Sequence, residues 1–173
     1  MKRRIGLLIG MFVVGVIGCS VPDLSNFTAV MSGTLSVVFV NETPFSVSTF
    51  YGVYNPLDAA HGVVVKSVTL AGGASSTAEE TVPTSRNLDV AGALLRLAAQ
   101  LGSPAGVDPN AITDNISFLN ADNTTAGTAP AGRFFVGVDY GSNDFIEIHF
   151  KQVPGTTDQF TVEMKASPPD TGQ

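Results

Sequence analysis

The sequence predicts a mainly β fold, an antiparallel β-sandwich or flattened barrel with one amphipathic helix. About seven short stretches alternate apolar and polar residues or are rich in β-branched residues, and turn-forming residues separate them. One stretch, Asp89–Leu101, instead has apolar residues at helical spacing. The chain has no Trp and one Cys, so the Cys…Trp…Cys signature of immunoglobulin domains is absent.

The first 18 residues have the layout of a secretory signal peptide. Three basic residues at positions 2–4 precede an uncharged run from Ile5 to Gly18. That run is shorter than the roughly 20 residues that a transmembrane helix needs. It ends in Val16-Ile17-Gly18-Cys19, where Cys19 is the only cysteine of the chain. We therefore expect residues 1–18 to be cleaved.

The Val16-Ile17-Gly18-Cys19 sequence resembles the lipobox of bacterial lipoproteins. This resemblance implies that the Cys19 thiol takes a diacylglycerol, that cleavage falls just before it, and that the new N-terminus is acylated. It further implies an exported, lipid-anchored protein of the bacterial cell envelope. Because Ser20 rather than Asp follows the cysteine, the sorting pattern of the family favours the outer membrane where the cell has one. The resemblance covers about 20 residues and carries no activity with it.

The mature chain is acidic. Without residues 1–18 it keeps 6 Lys and Arg against 15 Asp and Glu, a formal charge of −9. This charge argues against nucleic acid as a partner, since nucleic acid selects for clustered Lys and Arg, and against binding anionic headgroups by charge. Once Cys19 is acylated, no thiol is left for disulfides, thiolate catalysis or Cys-ligated zinc. We expect no cofactor.

The mature chain is predicted to have three parts: a lipidated tether at 19–32, a single β-rich domain at 33–166 and a disordered, Pro-rich tail at 167–173. The domain begins with strand Thr34–Asn41, which is apolar on both faces and therefore central in its sheet. A turn containing Pro44 connects it to strand Phe45–Tyr51. Two strands linked this way form either a hairpin or a corner at which the chain changes sheets.

Further strands are predicted at Val63–Leu70 and Thr77–Val82, the second of them short. The helix Asp89–Leu101 follows, with Asn87 or Asp89 as its N-cap and Gly102 and Pro104 as its stop. The leucines at its helical spacing are Leu94, Leu97 and Leu101. We expect this helix to pack on the sheets; the alternative is a helix that binds a partner or a membrane surface.

Residues 103–131 are rich in Gly, Pro, Asn, Asp, Ala and Thr, and only Ala111–Leu119 within them is predicted to be ordered. The last part of the domain is predicted to be a three-strand meander. Its strands are Gly132–Tyr140, Phe145–Lys151 and Phe160–Lys165.

Candidate binding residues are few. Tyr51 and Tyr54 could line a carbohydrate or peptide surface, although aromatic residues at strand spacing are more often core. Asp108, Asp114 and Asp122 offer hard oxygen ligands, but they lack the residue order and the bidentate Glu of a calcium loop. Turns use the same residue types. We therefore predict weak binding at these five residues and no metal site.

Glu147, His149 and Lys151 share one face of a predicted strand, and a carboxylate beside an imidazole can form a general base. The opposite face is apolar, which is typical of a half-buried strand with its polar side in water. No nucleophile is linked to this pair in sequence, and neither His61 nor His149 belongs to a metal motif. We assign no catalytic residue.

Three hypotheses for function follow. The first is a non-enzymatic interaction or structural module, held at the membrane by its N-terminal lipid, that binds an envelope protein. The second is a glycan-, ion- or small-ligand-binding lipoprotein. The third is a hydrolase of envelope material that acts through Glu147 and His149.

Overall fold

The computed structural model describes residues 34–55, 62–76, 80–83, 87–141 and 143–168. These residues form two β-sheets and one α-helix without a closed barrel, which confirms the predicted sandwich-like β class with a single helix. Within these ranges no helix has the length and apolar character needed to cross a membrane. The signal peptide, the tether, Cys19 and His61 lie outside the described residues, as do residues 169–173 of the predicted tail.

Four strands form the first sheet: β1 (Thr34–Asn41), β4 (Glu80–Pro83), β9 (Phe145–Gln152) and β10 (Phe160–Ser167). Their order across the sheet is β10-β9-β1-β4, so β1 is central, as its apolar faces predicted. β1 runs parallel to β9, from the pair Ser36 and Phe145 to the pair Asn41 and Phe150. The other ladders between the named strands of the described chain are antiparallel.

Six strands form the second sheet: β2 (Ser46–Tyr54), β3 (Val64–Leu70), β5 (Asn87–Val90), β6 (Asn115–Leu119), β7 (Thr125–Pro130) and β8 (Gly132–Phe134). The order is β7-β6-β2-β5-β8, and β3 also pairs with β2. β2 is thus the organising strand. It pairs with β3 along seven residues and with β5 and β6 over shorter stretches.

The connection from β1 to β2 is a corner at which the chain changes sheets. The buried Asn41 side chain holds it: Nδ2 donates to the carbonyl oxygens of Phe45 and Ala71, at 2.7 and 2.9 Å. Its Oδ1 accepts from the Thr43 backbone N–H at 3.1 Å. Of the two predicted alternatives, the corner is therefore the one that forms.

Aromatic side chains fill the space between the sheets. The Phe118 and Phe160 rings stack with centroids 4.0 Å apart, and the Phe39 ring lies 4.6 Å from the Tyr51 ring. Phe150 packs edge-on against Phe118. These contacts join strands of both sheets, and burying such rings is the main apolar contribution to the stability of the domain.

The helix begins later than predicted. It is α1 (Ala93–Gly102), whereas Asn87–Val90 form β5, and all four of those residues are buried. Gly92 is the N-cap and no side chain caps the helix, so the predicted caps Asn87 and Asp89 were wrong. The predicted stop is close, since the helix ends at Gly102 and Ser103 adopts a left-handed conformation.

Residues 103–131 are more ordered than predicted. A 3-10 turn at Pro109–Ala111 precedes the β6–β7 hairpin. β7 was missed because its sequence, Thr-Ala-Gly-Thr-Ala-Pro, lacks the aromatic and branched residues that favour strands. The small residues have a packing reason, since a Cβ on Gly127 would overlap the Asp158 carbonyl and the Phe160 ring.

The predicted C-terminal meander is wrong in one strand. β8 ends at Phe134, and Val138, expected on an alternating strand, is 81% exposed. A compact loop follows β8, in which the Asp139 carboxylate accepts from the Phe135 N–H at 2.7 Å and Gly137 has a positive φ. β8 belongs to the second sheet, so only β9 and β10 form the expected hairpin.

Candidate functional site

Tyr51 lies at the floor of a cleft of about 380 Å³ between the two sheets. One wall is the C-terminal half of β3 and the other is residues 74–76, which pair with β1. The Tyr51 and Phe39 rings are only 2% and 1% exposed. The lining residues are Phe39, Tyr51, Ser67, Val68, Thr69, Leu70, Ala71, Ala74, Ser75 and Ser76. Tyr51 therefore closes the bottom of the cleft as a core residue and presents no open ring face.

Tyr54, also predicted to bind, belongs to a buried polar cluster with Asp89 and Arg133. The Tyr54 hydroxyl donates to Asp89 Oδ2 at 2.8 Å. Arg133 Nε lies 3.2 Å from Oδ1, and its Nη2 lies 3.1 Å from Oδ2. The Asp89 side chain is 1% exposed, and these two donors satisfy its buried carboxylate oxygens. The cluster ties β2, β5 and β8 together at the β8 end of the second sheet.

The cluster has a structural role, because its polar groups bond to one another across neighbouring strands. Burial, reinforced by the Asp89 charge, raises the pKa of the Tyr54 phenol, which therefore stays neutral and donates. The hydrogen bond to Asp89 raises the pKa of the Arg133 guanidinium. A pocket of about 400 Å³ lies beside Asp89 and Arg133 at the start of α1.

The three predicted carboxylate ligands each have a local partner. Asp108 Oδ1 accepts from the Asn110 N–H at 2.9 Å and starts the 3-10 turn. Asp114 forms an ion pair of 2.8 Å with Arg96 of the helix. Asp122 accepts from the backbone and hydroxyl of Thr124, which lowers the pKa of its carboxyl group.

These carboxylates act as turn and pairing residues. Across the described ranges the fold brings no three His, Cys, Asp or Glu side chains into an arrangement that could hold a metal ion.

His149 lies between two carboxylates. Its Nδ1 is 2.5 Å from Glu42 Oε1, and its Nε2 is 3.1 Å from Glu147 Oε2. The two nitrogens point in opposite directions along the ring, so the carboxylates do not converge on one point. A neutral imidazole has a single N–H donor, so both contacts are hydrogen bonds only when the ring carries two protons. With both nitrogens occupied, the ring has no lone pair directed at a substrate.

A neighbouring pair extends this polar face. Lys151 Nζ lies 2.6 Å from Glu163 Oε2 across the β9–β10 ladder. The contact raises the pKa of the Lys151 ammonium and lowers the pKa of the Glu163 carboxyl group. Glu147, His149 and Lys151 share one strand face, as their spacing predicts, and each of the three side chains contacts an ionisable partner.

The helix presents an unexpected surface. Leu95, Ala98 and Ala99 face the protein and are fully buried, whereas Leu94, Leu97 and Leu101 are 44%, 46% and 55% exposed. These three leucines, here called the leucine stripe, lie three and four residues apart on one side of the helix. The leucines that predicted the helix are therefore not the residues that dock it. Arg96, between the two faces, donates to the Ile112 carbonyl at 3.0 Å.

Sequence reasoning missed Glu42 and Arg133. Glu42 follows β1 in a segment that reads only as a turn, and its pairing with His149 depends on the parallel β1–β9 ladder. The sequence predicts a strand at Arg133 but indicates no partner for it, because the spacing around Asp89 predicts a helix. A central strand of four buried residues, Asn-Leu-Asp-Val, is too short to show a period of two.

Comparisons with known proteins identify no family. No family model matches the chain, and no curated protein matches it. The chain is similar to a protein from Eubacterium rectale whose structure was determined by NMR, with 12% identity over 80% of this chain and 95% of that one. The TM-score of this pair is 0.38, too low to support an inference about fold or function.

Proposed function

We propose that this protein is a lipid-anchored, non-enzymatic interaction module of the bacterial cell envelope, which docks a partner protein on the leucine stripe. The observation that carries the proposal is the exposure of Leu94, Leu97 and Leu101 on a helix whose other face is fully buried. Leu94 and Leu101 lie seven residues apart, about 10.5 Å along the helix. Three adjacent exposed leucines form the kind of apolar patch that is typical of interaction sites.

The proposed partner is a protein with an apolar groove. The stripe contains no charged side chain, and Arg96 beside it is paired with Asp114. Helices that lie on membranes have Lys and Arg on their polar face, and here the mature chain is acidic. These charges favour a protein over the bilayer itself. The lipid on Cys19 would supply effective concentration by holding both partners at one membrane.

The two other hypotheses have weaker support. Four of the five residues predicted to bind a glycan, ion or small ligand are engaged within the chain: Tyr54 with Asp89, and Asp108, Asp114 and Asp122 with their local partners. For the hydrolase, both His149 nitrogens already contact carboxylates.

The proposal is tested by photo-crosslinking in living cells. A photoreactive amino acid replaces Leu97 in the full-length protein, and the control carries it at Thr125, an exposed position on β7. We expect one dominant crosslinked protein from position 97 and none from position 125. The same experiment with Cys19→Ala, exported through a cleavable signal, should weaken the crosslink.

Two results would contradict the proposal. One is equal labelling of many proteins from both positions. The other is binding of the unacylated protein to zwitterionic vesicles that is lost on Leu97→Ser, because that would make the bilayer the occupant of the stripe.

A further inference from the structure

We infer that the inter-sheet cleft at β3 binds an extended peptide segment by strand addition. This goes beyond the proposed function, since the cleft is formed by β3 and residues 74–76 and contains no residue of the leucine stripe. The argument rests on the backbone groups of the two cleft walls, on the size and charge of the lining side chains, and on the burial of the floor.

The first wall is an edge strand. Among the described residues, β3 pairs with β2 on one side and has no strand on the other. Alternate residues of a strand direct their N–H and C=O groups to opposite sides. Two of the four residues from Ser67 to Leu70 therefore present their peptide groups to the cleft. Such an edge is a template for a further strand.

The second wall supplies a further backbone contact. Ala74 and Ser76 bond to β1, through the Ala74 carbonyl to the Asn41 N–H at 2.8 Å and through the Ser76 N–H to the Phe39 carbonyl at 2.8 Å. In this antiparallel bridge Ser75 stands opposite Val40, so its own N–H and C=O point away from β1. A strand in the cleft would thus find backbone partners on both walls and would bridge the open edges of the two sheets.

The side chains that line the cleft leave room for a peptide backbone but offer no partner for a charged group. The walls present small residues, Ser67, Ala71, Ala74, Ser75 and Ser76, which let a main chain approach closely. Among the described lining residues none is charged. The floor is apolar, with Val68 and Leu70 beside the buried rings. The matching ligand is an extended, uncharged segment of about four residues, or about 13 Å, that directs one apolar side chain to the floor.

Other occupants fit less well. A sugar ring would stack on an open aromatic face, but the Phe39 and Tyr51 rings are almost completely buried. A second folded copy fits poorly. Its own β3 edge lies within the same kind of cleft, so it could not reach into the cleft of the first copy. A free extended segment of another protein is the occupant that the geometry favours, and its recognition would follow the strand-addition mode of known peptide-binding domains.

The test uses the full-length lipidated protein in nanodiscs. The probe is a library of capped heptapeptides randomised over Val, Leu, Thr and Ser, with retained peptides identified by mass spectrometry and resynthesised. We expect retained peptides whose binding falls at least tenfold when alternate backbone nitrogens are methylated, because methylation removes one row of N–H donors. Amide resonances of residues 67–70 and Ser75 should shift on binding.

Two variants alter the cleft from opposite walls: Val68→Arg places a charge beside its floor, and Ser75→Pro removes the N–H that points away from β1. Each should lower peptide affinity at least tenfold, and the control Thr128→Arg, at an exposed position on β7, should change it less than twofold. Melting curves confirm that all three variants are folded. The proposal is overturned if no peptide is retained above the level found with Val68→Arg, or if N-methylated peptides bind equally. It is also overturned if the cleft instead binds saccharides or a second copy.

Discussion

The imidazole of His149 in β9 and the carboxylate of Glu42, which follows β1, meet at 2.5 Å although 107 positions separate them in sequence. Glu147 engages the other ring nitrogen. The His149 side chain is 7% exposed, whereas both carboxylates are close to 40% exposed. The result is an almost buried imidazole ring held between two half-exposed carboxylates, on a strand face that the sequence predicts to be solvated.

Replacing His149 should destabilise the domain. In His149→Phe the ring volume is kept but both carboxylates lose their imidazole partner, and we expect a loss of about 1–2 kcal/mol in the free energy of unfolding. Urea denaturation of the variant and of the unsubstituted protein measures it through the midpoint. The control is Lys151→Met, whose exposed pair with Glu163 should matter little. An equal loss in both variants would show that His149 has no special role.

Removing Arg133 should cost more, because it leaves the Asp89 carboxylate buried with the Tyr54 hydroxyl as its only side-chain donor among the described residues. We expect Arg133→Met to lower the free energy of unfolding by about 3 kcal/mol, a value at the low end for a broken buried pair because the Arg133 side chain is 36% exposed. Arg133→Lys keeps the charge without the forked geometry and should lose less. Thermal unfolding compares the two, and a larger loss for Lys than for Met would contradict the assignment.

Gly127 should not tolerate a side chain. Because its Cβ would overlap the Asp158 carbonyl and the Phe160 ring, we expect Gly127→Ala to destabilise the domain by about 1–3 kcal/mol. Gly141→Ala is the matched control, since a Cβ there meets Asp144 Oδ2 at an ordinary 3.6 Å. Equal melting temperatures for the two variants would mean that β7 and the β9–β10 turn do not pack as described.

The two faces of the helix should respond differently to substitution. Leu95→Ala removes a fully buried side chain and should cost about 2–5 kcal/mol. Leu97→Ala, on the leucine stripe, should cost less than about 1 kcal/mol while reducing partner capture. Denaturation midpoints and crosslinking yield separate the two effects. A large stability loss for Leu97→Ala would show that the stripe packs within the chain.

Local patterns predicted most strands well. β1 matched its predicted ends because both of its faces are apolar, and β3 and β9 each fell within one residue of theirs. Errors arose where tertiary packing overrides local signals. No common turn-forming dipeptide separates β5 from the helix. The chain changes direction at Ala91 and Gly92, which both have positive φ. A non-glycine residue at such a φ is not readable from composition.

The candidate sites were harder to predict than the strands. Tyr51 was correctly placed on a strand, but its depth beneath a cleft depends on how two sheets approach one another. The pairing of Asp89 with Arg133 requires that β5 and β8 be neighbours. No sequence period encodes which strands pair across 40 or more residues, so such clusters emerge only from the assembled sheets.

The parallel pairing of β1 with β9 also determines when the chain can fold. The first strand of the described domain is completed by residues 145–150, more than one hundred positions later. Contacts of such long sequence separation form slowly. A partly synthesised chain would hold an apolar β1 without its β9 neighbour, which is a state prone to aggregation. The first sheet must therefore wait until residues 145–150 have emerged, and a chaperone that shields β1 would act in that interval.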